Sequence, residues 1–231
     1  MNPNVKTILE WVYCILIAII LALLVRNFVG TPTIVKQESM YPTLKPNQRL
    51  ILNRLPITFK SDLKRGDIIT FEAPSVTRVS IEDADMSNPV AIYNQEPKGL
   101  FKKFLYYGLE WGKTTYIKRV IALPGEHLEI KDNKVYINGE EYKEPYLDSS
   151  VVTTSLDGAF TDLIVPEGYV YAMGDNRPKS TDCRAFGCVP IEKVEGKVAL
   201  RFWPLNTWGN PDKKYVILKD ENKIENVEIK M

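Results

Sequence analysis

Histidine is nearly absent: His127 is the only one in 231 residues. A histidine-built metal centre is therefore out of reach, and a Ser-His-Asp triad would have to recruit that single residue. His127 sits in His-Leu-Glu-Ile, where alternation makes it an ordinary strand position. Cysteine is scarce too. Three residues, with no Cys-x-x-Cys pair, exclude a disulfide scaffold, a zinc knuckle and a redox dithiol. Charge of one sign is also missing: 30 Lys and Arg against 29 Asp and Glu leave +1, so no nucleic-acid partner is expected. No repeat of solenoid or propeller period is visible. No metal and no cofactor is expected from this inventory.

What is present begins with a run that wants lipid. From Trp11 to Val25 fifteen residues carry no charge, followed by Arg26, Asn27, Phe28 and Val29. Nineteen residues of helix span about 28 Å, close to a hydrocarbon core if the Arg26 guanidinium snorkels to the interface. The run is apolar on every face, which separates it from an amphipathic core helix. No small-x-small pair follows it, so an uncleaved anchor over 11–29 is expected rather than a cleaved leader, with 1–10 as a short cytoplasmic N-terminus. Lys6 on one side and Arg26 and Lys36 on the other leave the orientation undecided by charge counting.

Beyond Pro32 the pattern turns to short alternating runs, predicting strands over 33–37, 49–53, 67–72, 115–122, 127–131, 134–137, 168–173, 194–203 and 214–218. Asp132-Asn133 and Asn138-Gly139 mark tight turns between them. The expectation is a mainly antiparallel β domain over 30–231, interrupted by an insertion at 75–114. The second half of that insertion spaces Leu100, Phe104, Tyr107 and Trp111 as one face of a helix, with Lys102, Lys103 and Glu110 opposite. Two readings of this aromatic face stay open: packing on the β core, or lying in a membrane interface.

With histidine set aside, a hydrolase needs another base. Glu38-Ser39-Met40-Tyr41-Pro42-Thr43-Leu44 places a serine at a strand end, before a proline that turns the chain out of the strand. Lysine serves as a base near neutral pH only when burial disfavours its ammonium. Lys118 lies in the apolar run Tyr116-Ile117-Lys118-Arg119-Val120-Ile121, whereas most other lysines stand in polar surroundings. A solvent-facing edge lysine is the competing reading. A third segment, Gly174 to Pro190, is dense in turn formers; Asp182 and Arg184 are placed to pair, and Ser180 offers a neutral acceptor for an amine. Ser61-Asp62-Leu63-Lys64 matches the Ser-x-x-Lys signature of penicillin-recognising enzymes but lacks its companion motifs.

Taken together, ESMYPTL, RGDIITFEAP, YIKRVIALPGE and GDNRPKSTDCRAFGCVP, in that order behind an apolar anchor, resemble the boxes of the type I signal peptidases, membrane-bound serine proteases of the Ser/Lys-dyad class. The resemblance covers most of the chain. It implies Ser39 as nucleophile, Lys118 as general base and Ser180 as the residue orienting the amine. Asp182 and Arg184 would hold the loop of Gly174, Asp175 and Asn176 against the site. The implied substrate is a preprotein cut after small residues at the first and third positions before the bond, with pockets lined by Val35, Met40, Leu44, Tyr116 and Ile117. The implied setting is a single-pass anchor in the cytoplasmic membrane, a monomer with its catalytic domain on the extracytoplasmic side.

Two departures from the family pattern stand out. Gln37 occupies the position, two before the nucleophile, where relatives commonly have serine or glycine, so the oxyanion donors would be the Ser39 N–H and the Gln37 amide. Cys183 stands where relatives tend to have serine, with Cys188 five residues on, leaving a strained disulfide or two free thiols as options. Two other functions remain open: a membrane-tethered β domain that binds peptides without cutting them, and a self-cleaving repressor-like protease of the same dyad class, for which the lipid-seeking helix replaces the required DNA-binding module.

Overall fold

The computed structural model describes residues 3–59, 63–148, 150–155 and 158–211. Helix α1 (Pro3–Leu24) opens the chain and passes into a π-helical turn, Val25–Val29. It begins eight residues before the expected anchor because Pro3 suits a first helical turn, where its missing N–H leaves nothing unpaired. The apolar stretch Val5–Val29 is 25 residues long; its most apolar window is unburied, while its C-terminal end bonds the rest of the fold through Arg26 and the carbonyls of Phe28 and Val29. At 1.5 Å per residue that is about 37 Å, enough to cross a hydrocarbon core with some tilt.

The remainder is antiparallel β. Seven strands form one sheet in the order β1-β2-β11-β3-β4-β9-β10: β1 (Gly30–Ile34), β2 (Arg49–Asn53), β3 (Ile68–Glu72), β4 (Thr115–Ala122), β9 (Tyr169–Met173), β10 (Val189–Pro190) and β11 (Val194–Trp203). A second sheet of four has the order β7-β6-β5-β8: β5 (His127–Lys131), β6 (Lys134–Ile137), β7 (Glu140–Glu141) and β8 (Asp162–Ile164). Short helical turns α2 (Leu55–Thr58), α3 (Leu100–Lys103) and α4 (Cys183–Phe186) join them.

Local chemistry explains the joints. Asp132 and Asn133 both adopt positive φ, 50° and 62°, as do Asn138 and Gly139, 53° and 81°, the geometry in which a two-residue hairpin matches strand twist. The strand expected at 33–37 begins three residues earlier, because Pro32 sits in edge strand β1, where the N–H it lacks is not missed. The strand expected at 214–218 lies outside the described residues.

Two apolar clusters hold the body. The larger includes Ile69, Phe71, Val120, Leu128, Tyr171 and Phe186 and joins both sheets. The smaller, Val35, Met40, Leu44, Leu50, Leu52, Ile68 and Val198, lies directly beneath the turn that carries Ser39. At about 1.5–3 kcal/mol per fully buried aliphatic side chain, this floor makes the turn a rigid platform.

The insertion divides in two. Its first half packs on the α4 loop through Val79 N–H to Ala185 O, Ala91 N–H to Cys188 O and Cys188 N–H to Pro89 O, each 2.8 Å. Its second half is α3 followed by a π-turn, Phe104–Gly108. The aromatic face is exposed, not buried in the β core: Leu100 is 90%, Phe101 73% and Trp111 74% accessible.

Candidate active site

Ser39 sits just past the end of β1, on a turn closed by Tyr41 N–H to Glu38 O (3.0 Å) and Leu44 N–H to Met40 O (2.8 Å). Met40 and Leu44 both point into the smaller cluster and are buried, which fixes the turn from below. Lys118 lies 79 residues away in sequence, on β4 opposite Ile69 of β3. Its Nζ is 2.7 Å from Ser39 Oγ, within hydrogen-bond reach.

Lys118 is 2% exposed. Burial lowers its pKa from the ordinary 10.5 to about 8, a shift that Arg184 assists and that Asp182, Cys183 and Asp175 oppose. The buried carboxylates do not restore the charge because each already has an arginine. Asp182 accepts from Arg184 Nε and from a second guanidinium nitrogen at 2.8 Å each, and Asp175 accepts from Arg119 at 2.9 and 2.8 Å. With a pKa near 8, about one amine in ten is neutral at pH 7 and half at pH 8.

The loop from Gly174 to Arg184 is fastened to the nucleophile turn. Asn176 N–H donates to Ser39 O and Asn176 Nδ2 to Glu38 O, both 3.0 Å. Thr43 Oγ1 donates to Asp175 Oδ2 at 2.5 Å, and Gly174 N–H donates to Asp182 Oδ2 at 3.0 Å. Gly174 must be glycine here: a Cβ would stand 2.2 Å from Ser180 Oγ and 2.3 Å from Ser39 O. The loop is braced behind by Arg177, which donates to Glu144, to Thr153 and to Gly174 O.

Ser180 is buried beside Gly174, but its hydroxyl makes no hydrogen bond among the described residues. The contact expected with the Lys118 amine is not made in this structure. The amine bonds Ser39 instead, and the extended backbone of Ser180 sets its hydroxyl against Gly174.

A cleft of about 250 Å³ opens beside the pair, lined by residues 33–37 and 113–117 together with Ser39 and Met40. Its walls are open strand edges. Among the described residues strand β1 pairs only with β2, and β4 pairs with β9 only from Arg119 onward, which leaves Thr115–Lys118 without a strand partner on that side. Val35, Met40, Tyr116 and Ile117 line the cleft. Leu44 is a correction: it is 0% exposed and belongs to the cluster beneath, because the 40–44 turn directs it inward with Met40. Gln37 is exposed at the cleft wall, its side chain without a hydrogen bond among the described residues; the Ser39 N–H likewise has no partner there. Cys183 and Cys188 are buried free thiols, and Cys183 Sγ accepts from Ala172 N–H at 3.1 Å.

Four residues of this framework, Thr43, Arg119, Glu144 and Arg177, were not singled out by the sequence. Their partners lie between 24 and 132 residues away, beyond any local pattern, although a charged Arg119 inside an apolar strand run was a signal of buried pairing.

Comparison with known proteins identifies the family. The family described as "Signal peptidase, peptidase S26" matches residues 8–203. Signal peptidase I T of Bacillus subtilis is 34% identical over 211 residues, covering 89% of this chain and 90% of its own. Signal peptidase IB of Staphylococcus aureus is 31% identical over 215 residues, covering 87% and 92%. A crystal structure of a signal peptidase I from Enterococcus faecalis is 28% identical and covers 59% of this chain and 96% of its own, with a TM-score of 0.37. This chain belongs to the signal peptidase family, peptidase S26.

Proposed function

We propose that the protein is a serine endopeptidase that removes N-terminal signal peptides from preproteins, with Ser39 as nucleophile and Lys118 as general base. The observation that carries this reading is the 2.7 Å contact between a hydroxyl at the cleft and a buried amine whose pKa burial lowers to about 8. The peptide enters extended and adds as a strand between 33–37 and 113–117, taking backbone bonds from the open edges. In an extended strand every second side chain faces the same way. The first and third residues before the bond therefore point together into the cleft, where buried Val35 and Met40 leave room for small groups only.

Ser39 Oγ attacks the scissile carbonyl carbon while its proton passes to neutral Lys118 Nζ. The developing oxyanion takes the Ser39 N–H and, in this assignment, the Gln37 amide. One such donor is worth a factor of about 10²–10³ in rate. Collapse of the adduct breaks the C–N bond, and the lysinium gives its proton to the departing amine of the mature protein. Water then attacks the Ser39 ester, the amine takes one of its protons, and collapse returns that proton to Ser39 as the signal peptide leaves as a carboxylic acid, which ionises to solvent. Ser180, buried with an unused hydroxyl, is assigned to accept from the lysinium between these steps.

The chain carries both dyad residues, so one copy suffices. Helix α1 holds it in the bilayer that contains the substrate's own apolar segment, which raises the local concentration of enzyme around the bond. The catalytic domain lies on the extracytoplasmic side in this reading. Full-length protein in detergent is predicted to cleave a preprotein whose signal ends in Ala-x-Ala, and Ser39→Ala and Lys118→Arg to lose at least about a hundredfold, since a guanidinium does not shed its proton at these pH values. Undiminished turnover in either variant overturns the assignment. Peptide binding without cleavage by the wild type would favour a non-catalytic peptide-binding domain.

A further inference from the structure

Between Gly99 and Trp111 the insertion puts its largest apolar side chains into the open. Leu100 is 90%, Phe101 73%, Phe104 48% and Trp111 74% exposed, an aromatic surface of a kind that soluble domains seldom leave uncovered. Three observations say what covers it. The insertion meets the end of the apolar anchor: Phe28 and Tyr107 line one cavity of about 400 Å³ whose remaining lining is mostly charged, and exposed Phe59 closes the neighbouring α2 turn. Lys102 and Lys103 flank the aromatic side chains, the pairing that a lipid headgroup layer favours. Finally, the insertion is fastened to the anchor itself. Arg26, in the last turn of that helix, donates to Leu109 O at 3.3 Å and to Glu110 Oε2 at 2.9 Å, while Arg54, just past β2, donates to the other Glu110 oxygen.

Glu110 adopts φ +56°, a backbone conformation uncommon for a residue with a side chain. The turn that this requires closes through Trp111 N–H to Leu105 O and Lys113 N–H to Glu110 O, and it points the carboxylate at both arginines. The two guanidiniums hold the carboxyl below the ordinary carboxylate range despite half-burial. One carboxylate thus joins three parts of the chain: anchor, β body and insertion.

We propose that residues 99–111 form a second membrane contact, seated in the lipid interface beside the anchor, and that Glu110 is the latch that sets the tilt and height of the catalytic cleft above the bilayer. A single helix leaves a tethered domain free to rotate and rock. Two contacts joined by a bridging carboxylate define a plane, and so the distance from the bilayer surface at which a bond meets Ser39. This inference rests on the signal-peptidase reading only for its consequence in processing; the lipid contact stands without it.

The test uses the full-length protein in vesicles of phosphatidylcholine and phosphatidylglycerol. In a Cys14→Ser background, with Cys183 and Cys188 buried, an environment-sensitive fluorophore is attached at Leu100→Cys and, as a control, at exposed Glu140→Cys on the second sheet. Lipids brominated near the headgroup are predicted to quench the label at 100 at least twofold and the label at 140 not at all. Equal, weak quenching at both sites overturns the membrane contact. Glu110→Gln is predicted to reduce quenching at 100 and to slow processing of a membrane-inserted preprotein five- to tenfold, with cleavage of a short soluble peptide in detergent unchanged within twofold. Because that variant could disturb folding, the double change Leu100→Asp, Phe101→Asp, on largely exposed side chains, is predicted to give the same split. Parallel loss on both substrates, or on neither, overturns the latch. Absence of peptide cleavage in the wild type would remove the protease reading and leave the quenching result intact.

Discussion

Replacing Lys118 by methionine is predicted to kill activity and strengthen the fold. In the native state the amine titrates at about 8; in the unfolded chain an ordinary lysine titrates at 10.5. At pH 7 unfolding therefore releases the amine into an environment where it holds its proton far more readily. That difference, at 1.36 kcal/mol for each pH unit, destabilises the fold by about 3 kcal/mol. Methionine is of similar length, carries no charge and tolerates irregular apolar surroundings. It loses the hydrogen bond to Ser39, worth about 1 kcal/mol, but Ser39 Oγ opens on the cleft and can turn to water.

The net expectation is a gain of about 2 kcal/mol at pH 7, or roughly 4–8 °C in Tm for a domain of this size. That advantage shrinks as the pH rises. Between 8 and 10.5 the unfolded wild type binds the proton that the folded one has lost, so wild-type stability rises through that window relative to the variant. The gap closes by about 2 kcal/mol between pH 7 and 9.5. Denaturant titrations of both proteins at these two pH values measure it, and subtracting one protein from the other removes every other titrating group. A gap that is absent, or that does not change with pH, would show that the amine is not held neutral by burial and would refute the reasoning.

Other consequences follow from the same geometry. For cleavage of an Ala-x-Ala peptide, kcat/KM is predicted to rise about tenfold per pH unit below pH 8 and to level above it, since only the neutral amine accepts the Ser39 proton; a flat profile would contradict this. Gly174→Ala must displace Ser39 O or Ser180, and kcat is expected to fall at least about a hundredfold in steady-state assays while circular dichroism stays native. Arg119→Met leaves Asp175 buried without its ion pair and is expected to cost about 3–5 kcal/mol in denaturant unfolding. Val35→Ala deepens the cleft, so a substrate with valine in place of alanine at the third position is expected to improve about tenfold relative to the wild type in competition assays.

The β body was legible because its signals are local. Strands 49–53, 115–122, 127–131, 134–137 and 194–203 end where alternation ends, and both tight turns carry residues that accept positive φ. Strands β7, β8 and β10 were not, since two or three residues hold no period, and β10 contains a proline that only an edge tolerates. Ser39 and Lys118 were found as residue types suited to a task, but their 79-residue separation is bridged only by the fold. The Arg119–Asp175 and Arg177–Glu144 pairs escaped notice for that reason. Leu44 was misassigned because its apolar character says that it is covered, not whether substrate or core covers it. The aromatic face of the insertion had two readings for the same cause; only its exposure and its bonds to Arg26 separate them.

The account stands on a lysine amine that is neutral for much of the time near physiological pH. Selective labelling of lysine with ¹³C at Cε and ¹⁵N at Nζ, with Lys118→Met to assign the resonance, lets that amine be titrated directly in the detergent-solubilised protein. A transition at about 8, well below the ordinary lysine value of 10.5, is the predicted result. A Lys118 resonance that titrates with the surface lysines would contradict the proposed chemistry at its first proton transfer.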